Sequence, residues 1–346
     1  MKKAELIQMQ KLPLEIKIAK SKQRIIEFYE KYENPAISFS GGKDSTVLLH
    51  LIRSIYPNLK GVFVNTGLEF PEILLFVKTV ENIDWIKPDF KFKEVCNTYG
   101  FPIISKQVSM AINRFQINRN KCYKELQNPK PDIEKIIQYL IQMGLRLKGG
   151  YSVKTHKPQR RTIPIKYTYV LKADFKISEK CCDIMKKKPL KKYAKTNSVD
   201  GWFLGTMASD SLLREKEYLQ HNCNAWSKNI STPLGFWTDR DIWEYIEKYD
   251  IKYSKIYDMG QTRTGCFTCH FGHMLSKNDR YEEMRKTHPK LYDFSMNYCE
   301  MKKVIDFIND KQNIEDPFIK ILNDVKNKLN DYYPYILRKV TNNVNI

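Results

Sequence analysis

The sequence predicts an α/β protein built on a doubly wound parallel sheet, with a basic insertion and a helical C-terminal region. Three observations carry this expectation. Short apolar runs bounded by turn residues alternate with stretches of helical periodicity, the rhythm of repeated βα units. One such run, Ala36–Phe39, leads directly into the glycine-rich hexapeptide Ser40–Ser45 and then into an amphipathic segment. From about residue 276 the strand-like runs stop and the remaining periodicity is helical.

Residues 1–34 read as amphipathic helices, with Ile18, Ile25, Ile26, Tyr29 and Tyr32 near helical spacing and Pro35 ending the pattern. Residues 35–275 form the expected sheet-containing domain. Its first strand, Ala36–Phe39, suits a strand buried on both faces. A helix follows from Ser45 to about Ile55, with Val47, Leu48, Leu51, Ile52 and Ile55 facing inward. Further strands are expected at Gly61–Val64, Phe90–Val95 and Trp202–Gly205. A parallel sheet binds its ligands at the carboxyl ends of its strands, which directs attention to the loops after Phe39, Val64 and Gly205. Residues 113–170 interrupt the rhythm as a polar, basic insertion with one apolar helix near Ile133–Leu145. At Thr238–Asp241 a capping box starts a helix that buries Ile242, Trp243, Tyr245 and Ile246. Residues 276–346 complete the chain as helices.

The chain has 346 residues, and its 42% hydrophobic and 12% aromatic content indicates a packed body. No run approaches the length of apolar chain that spans a bilayer, and the N-terminus lacks a signal-peptide core. A cytoplasmic protein with no membrane partner is therefore expected, and in that compartment its eight cysteines should not form a disulfide framework. The net charge is +20 and unevenly placed: residues 111–200 hold 22 Lys and Arg against 7 Asp and Glu. Such an excess suits either a solvated lysine-rich surface or a docking surface for a polyanion, DNA or tRNA, through residues 113–170.

Ser40, Gly41, Gly42, Lys43, Asp44 and Ser45 lie between a buried strand and a helix, the setting of a phosphate cradle. Adjacent glycines let backbone N–H groups converge on phosphate oxygens, and a helix start adds positive potential. Lys43 can neutralise phosphate, and the hydroxyls of Ser40 and Ser45 can donate to it. The spacing is not that of a Walker loop.

Cys181 and Cys182 are adjacent, and 83 residues separate Cys182 from the pair Cys266–x–x–Cys269. A lone C-x-x-C is compatible with zinc, an iron–sulfur cluster or a redox dithiol; four thiolates together suit an Fe–S cluster or a structural zinc. Cys223 is a candidate further thiol near such a site, while Cys96, Cys122 and Cys299 have the pattern of structural cysteines. His270 and His273 are placed as supporting donors or surface residues. Arg160, Arg161, Arg214 and Arg263 are candidate anion partners, since guanidinium presents a planar fork to phosphate or sulfate.

The hexapeptide resembles the pyrophosphate loop of ATP pyrophosphatases within the adenine nucleotide alpha-hydrolase superfamily, and GVFVNTGLEFPE, from Gly61 to Glu72, resembles the segment that follows it there. KISEKCCDIMKKKPLKKY, WFLGTMASDSLLR, TPLGFWTDRDIWEYI and TRTGCFTC resemble, in order, the assimilatory APS/PAPS reductase family, as does YGFPIISK. The resemblance covers roughly residues 35–108 and 172–275. It implies a doubly wound nucleotide-binding fold and Lys43 and Asp44 as catalytic groups. It further implies an ATP, APS or PAPS site formed by Ser40–Ser45, Thr66, Gly67, Gly205, Arg214 and Arg263, and admits a magnesium ion beside the phosphates. For Cys181, Cys182, Cys266 and Cys269 it implies one [4Fe-4S] cluster, with zinc as the alternative.

The Glu-Cys-Gly-like tail that supplies the reductases' nucleophile has no counterpart, because downstream of Cys269 the one cysteine is Cys299 in a helix-like segment. The loop is also closer to the ATP-cleaving relatives, some of which modify DNA or tRNA with sulfur. Three readings follow: an ATP-dependent sulfur-transfer enzyme acting on nucleic acid, a reductase of APS or PAPS, and a nucleotide-binding subunit of a defence or phage module working through a partner protein. A sulfur-donor or other partner protein is compatible with all three.

Overall fold

A computed structural model of the chain describes residues 2–147, 151–152, 157–158, 162–262, 264–273, 279–310 and 317–344. The chain divides into two compact units, residues 1–89 with 185–267, and residues 90–184 with 268–346.

The first unit holds a six-stranded sheet. Its strands are β1 (Pro35–Phe39), β2 (Gly61–Val64), β3 (Ile83–Ile86), β4 (Gly201–Leu204), β5 (Asn224–Ala225) and β6 (Ile230–Ser231), in the order β3-β2-β1-β4-β6-β5. All neighbours run parallel except β5 and β6. Ile37 of β1 lies beside Gly61 and Phe203, and both Ile37 and Phe203 are wholly buried, as expected of a central parallel strand. The chain steps outward from β1 to β2 and β3, then returns to the other side of β1 as β4. The order therefore reverses between β1 and β4, and a crevice at such a reversal is where open α/β sheets bind ligands.

Helix Lys43–Arg53 follows β1, two residues earlier than its expected start, and buries Val47, Leu48, Leu51 and Ile52. The N-terminal segment forms two helices, Lys3–Gln10 and Leu14–Tyr29, which belong to this same unit. The second is tied to helix Asp239–Lys248 by a buried ion pair, Lys17 Nζ to Asp241 Oδ2 at 2.6 Å. Asp241 is also the capping-box residue, accepting from the N–H of Thr238 at 2.7 Å.

The expected strand at Phe90–Val95 is a correction. Phe92–Tyr99 is a helix in the second unit, with Phe92, Val95 and Cys96 buried at i, i+3 and i+4 and the Lys91 N–H donating to Glu94. The strand next to β2 is instead Ile83–Ile86, four residues at the sheet edge with half-buried or exposed side chains.

The second unit is mainly helical. Lys106–Leu126 is one continuous helix, so the expected insertion boundary at residue 113 falls inside it; it buries Val108, Ala111, Ile112, Phe115, Cys122 and Leu126 on one face. Ile133–Gly144 matches the expected apolar helix. The C-terminal region is helical as expected, including Met301–Asn309, Pro317–Lys328 and Tyr333–Thr341. Phe115 meets Phe318 edge-on at 6.4 Å between centroids, and the Tyr123 hydroxyl donates to Asp324 at 2.7 Å. Ser152 and Lys157 pair across a short antiparallel ladder. Among the described residues no helix is long and apolar enough to cross a membrane.

Candidate functional site

The phosphate loop forms where β1 ends. Gly41 adopts φ +71°, a conformation that costs a residue with a Cβ, and a Cβ there would meet Val77 at 2.6 Å. Gly42 caps the following helix, and a Cβ on it would lie 2.5 Å from Thr264 Oγ1 and 3.2 Å from the Tyr257 hydroxyl. Gly205, just past β4, approaches the loop equally closely: its Cβ would sit 3.0 Å from the Asp44 carbonyl oxygen and from Ser45 Cα. Gly205 thus allows the loops after β1 and β4 to close together at the reversal point, while Gly41 admits Val77 and Gly42 admits Thr264 and Tyr257 against the loop.

Polar groups of the loop are held by neighbours that an incoming phosphate oxygen could replace. The Lys43 N–H donates to the Tyr257 hydroxyl at 2.8 Å, the Ser40 N–H to Ser45 Oγ at 3.2 Å, and the hydroxyls of Ser40 and Ser45 are 3.0 Å apart. Lys43 is buried, with Nζ 2.8 Å from Asp44 Oδ1 and 2.5 Å from Asp239 Oδ1. Burial favours the neutral amine, yet hydrogen bonds to Asp239 and Asp44 outweigh it and raise the Lys43 pKa. Burial raises Asp44 above its ordinary value against the pull of Lys43, with Asp210 and Asp239 adding repulsion. The result is a fixed ammonium held between carboxylates beside a bent, glycine-rich backbone.

A cleft lined by Ser40, Phe63, Glu69, Lys186, Leu190 and Thr264 opens next to this loop. Glu69 orders its β2 side, accepting from the Thr66 N–H at 2.9 Å and the Thr66 hydroxyl at 2.7 Å, while Gly67 turns at φ +74° with space around it. Thr66 and Gly67 thus border the same end of the sheet. Arg214 is exposed and ion-paired to Asp210, whose charge acts on Asp44 of the loop, and it lines a second cleft with Thr206, His221 and Lys228. Arg160, Arg161 and Arg263 lie outside the described residues. Asp239, Tyr257, Thr264 and Glu69 are additional site residues that sequence reading missed. Asp239 carried only a capping signal, and Tyr257 and Thr264 carried none, because they reach Lys43 and Gly42 from more than 200 residues away.

No two cysteines are joined in a disulfide. Cys181 and Cys182 hold their sulfurs 4.0 Å apart in the second unit, where Cys269 also lies, whereas Cys266 closes the first. Four thiols are chemically the right donors for an iron–sulfur cluster or zinc. Among the described residues no three His, Cys, Asp or Glu side chains are gathered as a metal ion would need. Cys223 is buried and shares a 3.4 Å hydrogen bond with the Tyr218 hydroxyl. Its pKa is pushed by burial up to about 11. Cys96, Cys122 and Cys299 are buried, in keeping with structural roles. His270 is buried rather than superficial, accepting from the Ile104 N–H at 3.4 Å.

A curated relative, an uncharacterized protein of Methanocaldococcus jannaschii, is 26% identical over 84% of this chain, which covers 46% of that protein. The chain thus spans about half the length of the first curated relatives it matches. A phosphoadenosine 5'-phosphosulfate reductase of Xylella fastidiosa is 21% identical over 73% of this chain and 78% of its own length. Among solved structures, the phosphate complex of a phosphoadenylyl-sulfate reductase from Candida auris aligns with a TM-score of 0.38 and 13% identity, covering 77% of this chain and 96% of that one. The family model for the phosphoadenosine phosphosulfate reductase domain matches residues 34–103 and 129–271, and the chain belongs to that family.

Proposed function

We propose that this protein is an ATP-binding, iron–sulfur enzyme of sulfur transfer whose acceptor is a nucleic acid. The observation that carries the nucleotide part is the loop Ser40–Ser45, in which Lys43 is buried between Asp44 and Asp239 at the reversal of strand order. Family membership supports adenine nucleotide chemistry, and the Ser-Gly-Gly-Lys-Asp-Ser sequence favours cleavage of ATP. In the reaction, an acceptor oxygen attacks the α-phosphorus and pyrophosphate leaves; a sulfide equivalent then displaces AMP from the atom that carried that oxygen, a base carbon in tRNA or a backbone phosphorus in DNA. Lys43 stabilises charge developing on the phosphates, and the backbone at Gly41 and Gly42 positions them. Asp44 would hold a magnesium ion beside the phosphates. Cys181, Cys182, Cys266 and Cys269 are the residues that would hold a [4Fe-4S] cluster, with zinc the alternative occupant. A bound cluster supplies thiolate-ligated iron able to exchange electrons or sulfur.

The test is anaerobic protein incubated with α-labelled ATP, a sulfide source and tRNA or DNA. Pyrophosphate and AMP should appear, and Lys43→Ala or Asp44→Ala should lower both by at least about tenfold with the fold intact. The protein should be brown, absorbing near 400 nm, roughly where thiolate-to-iron charge transfer falls, and Cys182→Ser or Cys266→Ser should remove the colour. Sulfite release from adenylyl sulfate without pyrophosphate from ATP would transfer the assignment to the reductase reading, which the Xylella relative favours. Tight nucleotide binding without any product would favour a subunit acting through a partner.

A further inference from the structure

Helix Lys188–Thr196 follows the one-turn π segment Asp183–Lys187 and packs on β2 and β3 of the first unit. It carries Lys187, Lys188, Lys191, Lys192 and Lys195, all exposed. At about 100° per residue these five side chains fall within about 140° of arc, a single lysine face. The opposite side is turned inward: Pro189 is buried, Leu190 is half-buried, and the Tyr193 hydroxyl donates to Asp84 at 2.5 Å. Lys192 has an exposed ion pair with Asp89 at 3.0 Å. Among the described residues Lys188, Lys191 and Lys195 have no acidic group within ion-pair distance.

The same helical segment reaches the site. Lys186 and Leu190, on its inner edge, line the cleft with Ser40 and Thr264. The lysine face and the cleft lie on opposite sides of this short helix, so a strand on that face reaches the cleft by turning around the helix's N-terminal end, past Lys187 and Lys186.

We propose that this face is the docking rail for an unpaired nucleic-acid strand, whose phosphodiesters run along Lys187, Lys188, Lys191, Lys192 and Lys195 while one nucleotide enters the cleft. The inference rests on the sulfur-transfer reading and locates its acceptor. Evenly spaced phosphates complement a row of ammonium groups, and counterion release rewards each contact. A base buried in a duplex could not reach the cleft, so the strand must be unpaired or opened there. A membrane surface is the poorer match: a helix lying on lipid exposes large apolar groups beside its cations, and here those groups face the protein. Residues 113–170, of which Lys148, Lys154, Arg160 and Arg161 lie outside the described residues, are the competing basic surface, and the test separates the two.

The test is fluorescence anisotropy with the full-length protein and labelled single-stranded RNA, single-stranded DNA and duplex DNA between 50 and 200 mM salt. Five contacts to a single strand imply a log-log slope near about −3.5, hence about a 100-fold loss of affinity over that range. Lys188→Gln, Lys191→Gln and Lys195→Gln together should cut the loss to about 7-fold, leaving ATP-analogue affinity and the thermal midpoint unchanged. The triple charge reversal to Glu should abolish binding. An unchanged slope in the triple Gln variant overturns the proposal, as does preference for duplex DNA or binding only to phosphatidylserine vesicles. Loss of the slope on neutralising Arg114, Arg119, Lys121 and Lys124 instead also overturns it. Strand binding without ATP cleavage would retain the rail and sink the sulfur-transfer reading; ATP cleavage without strand binding would do the reverse.

Discussion

Gly42→Ala is the sharpest perturbation of the phosphate loop. Its Cβ would stand 2.5 Å from Thr264 Oγ1 and 3.2 Å from the Tyr257 hydroxyl, whereas unstrained contact begins near 3.4 Å. Gly42 itself has φ −80° and ψ 157°, extended backbone open to any residue, so the cost lies in contact and not in torsion. Overpacking of this kind costs about 1–3 kcal/mol. The easiest relief is for Thr264 to move away, breaking its 3.2 Å contact with Tyr257 and tilting the hydroxyl that accepts the Lys43 N–H. Affinity for a non-hydrolysable ATP analogue should then fall about 5- to 150-fold, at about 1.4 kcal/mol per decade. Isothermal titration would measure it, with thermal unfolding as the control for the fold. Thr264→Ala removes the closest atom, so the double variant should bind within about twofold of Thr264→Ala alone, a coupling expected only of residues in contact. Additive losses, or a Gly42→Ala variant that binds normally, would refute the packing argument and with it the loop as a built cradle.

Two further outcomes follow from burial. Lys17→Met leaves the Asp241 carboxylate buried without its cation and should cost about 3–5 kcal/mol, lowering the thermal midpoint by about 10 °C; Asp241→Asn in the same chain should recover part of the loss. In chelator-treated protein at pH 8, alkylation should spare Cys122, Cys223 and Cys299, whose thiols burial pushes up to about 12, 11 and 11. It should label the partly exposed Cys182, Cys266 and Cys269. Mass spectrometry of the digest decides this, and rapid native labelling of Cys223 would contradict its packing against Tyr218.

Where one local signal sufficed, the sequence was enough. Ala36–Phe39 read as a buried strand because its side chains are buried on both faces of the sheet, and Gly61–Val64 and Trp202–Gly205 read likewise within a residue. Thr238–Asp241 read as a cap because capping is decided within four residues. The hexapeptide read as a phosphate cradle because strand, glycine pair and helix start are contiguous. The strand expected at Phe90–Val95 failed because the six residues Phe-Lys-Phe-Lys-Glu-Val do not separate period 2 from period 3.6, and Lys106–Leu126 was obscured because its polar face dominates its composition.

Tertiary structure alone decided what surrounds the loop. Strand order placed β4 beside β1, so Gly205 came to rest against Asp44 and Ser45 although more than 150 residues separate them. Asp239, Tyr257 and Thr264 reached Lys43 and Gly42 in the same way. No local periodicity encodes such meetings, because they are set by which buried surfaces the strands and helices must share. Arg214 shows the converse: a motif fixed its identity, but its pairing with Asp210 and its place in the second cleft were settled by packing. The chemistry of the loop was written in contiguous residues, whereas the partners that hold its ammonium and its backbone exist only once the sheet has closed.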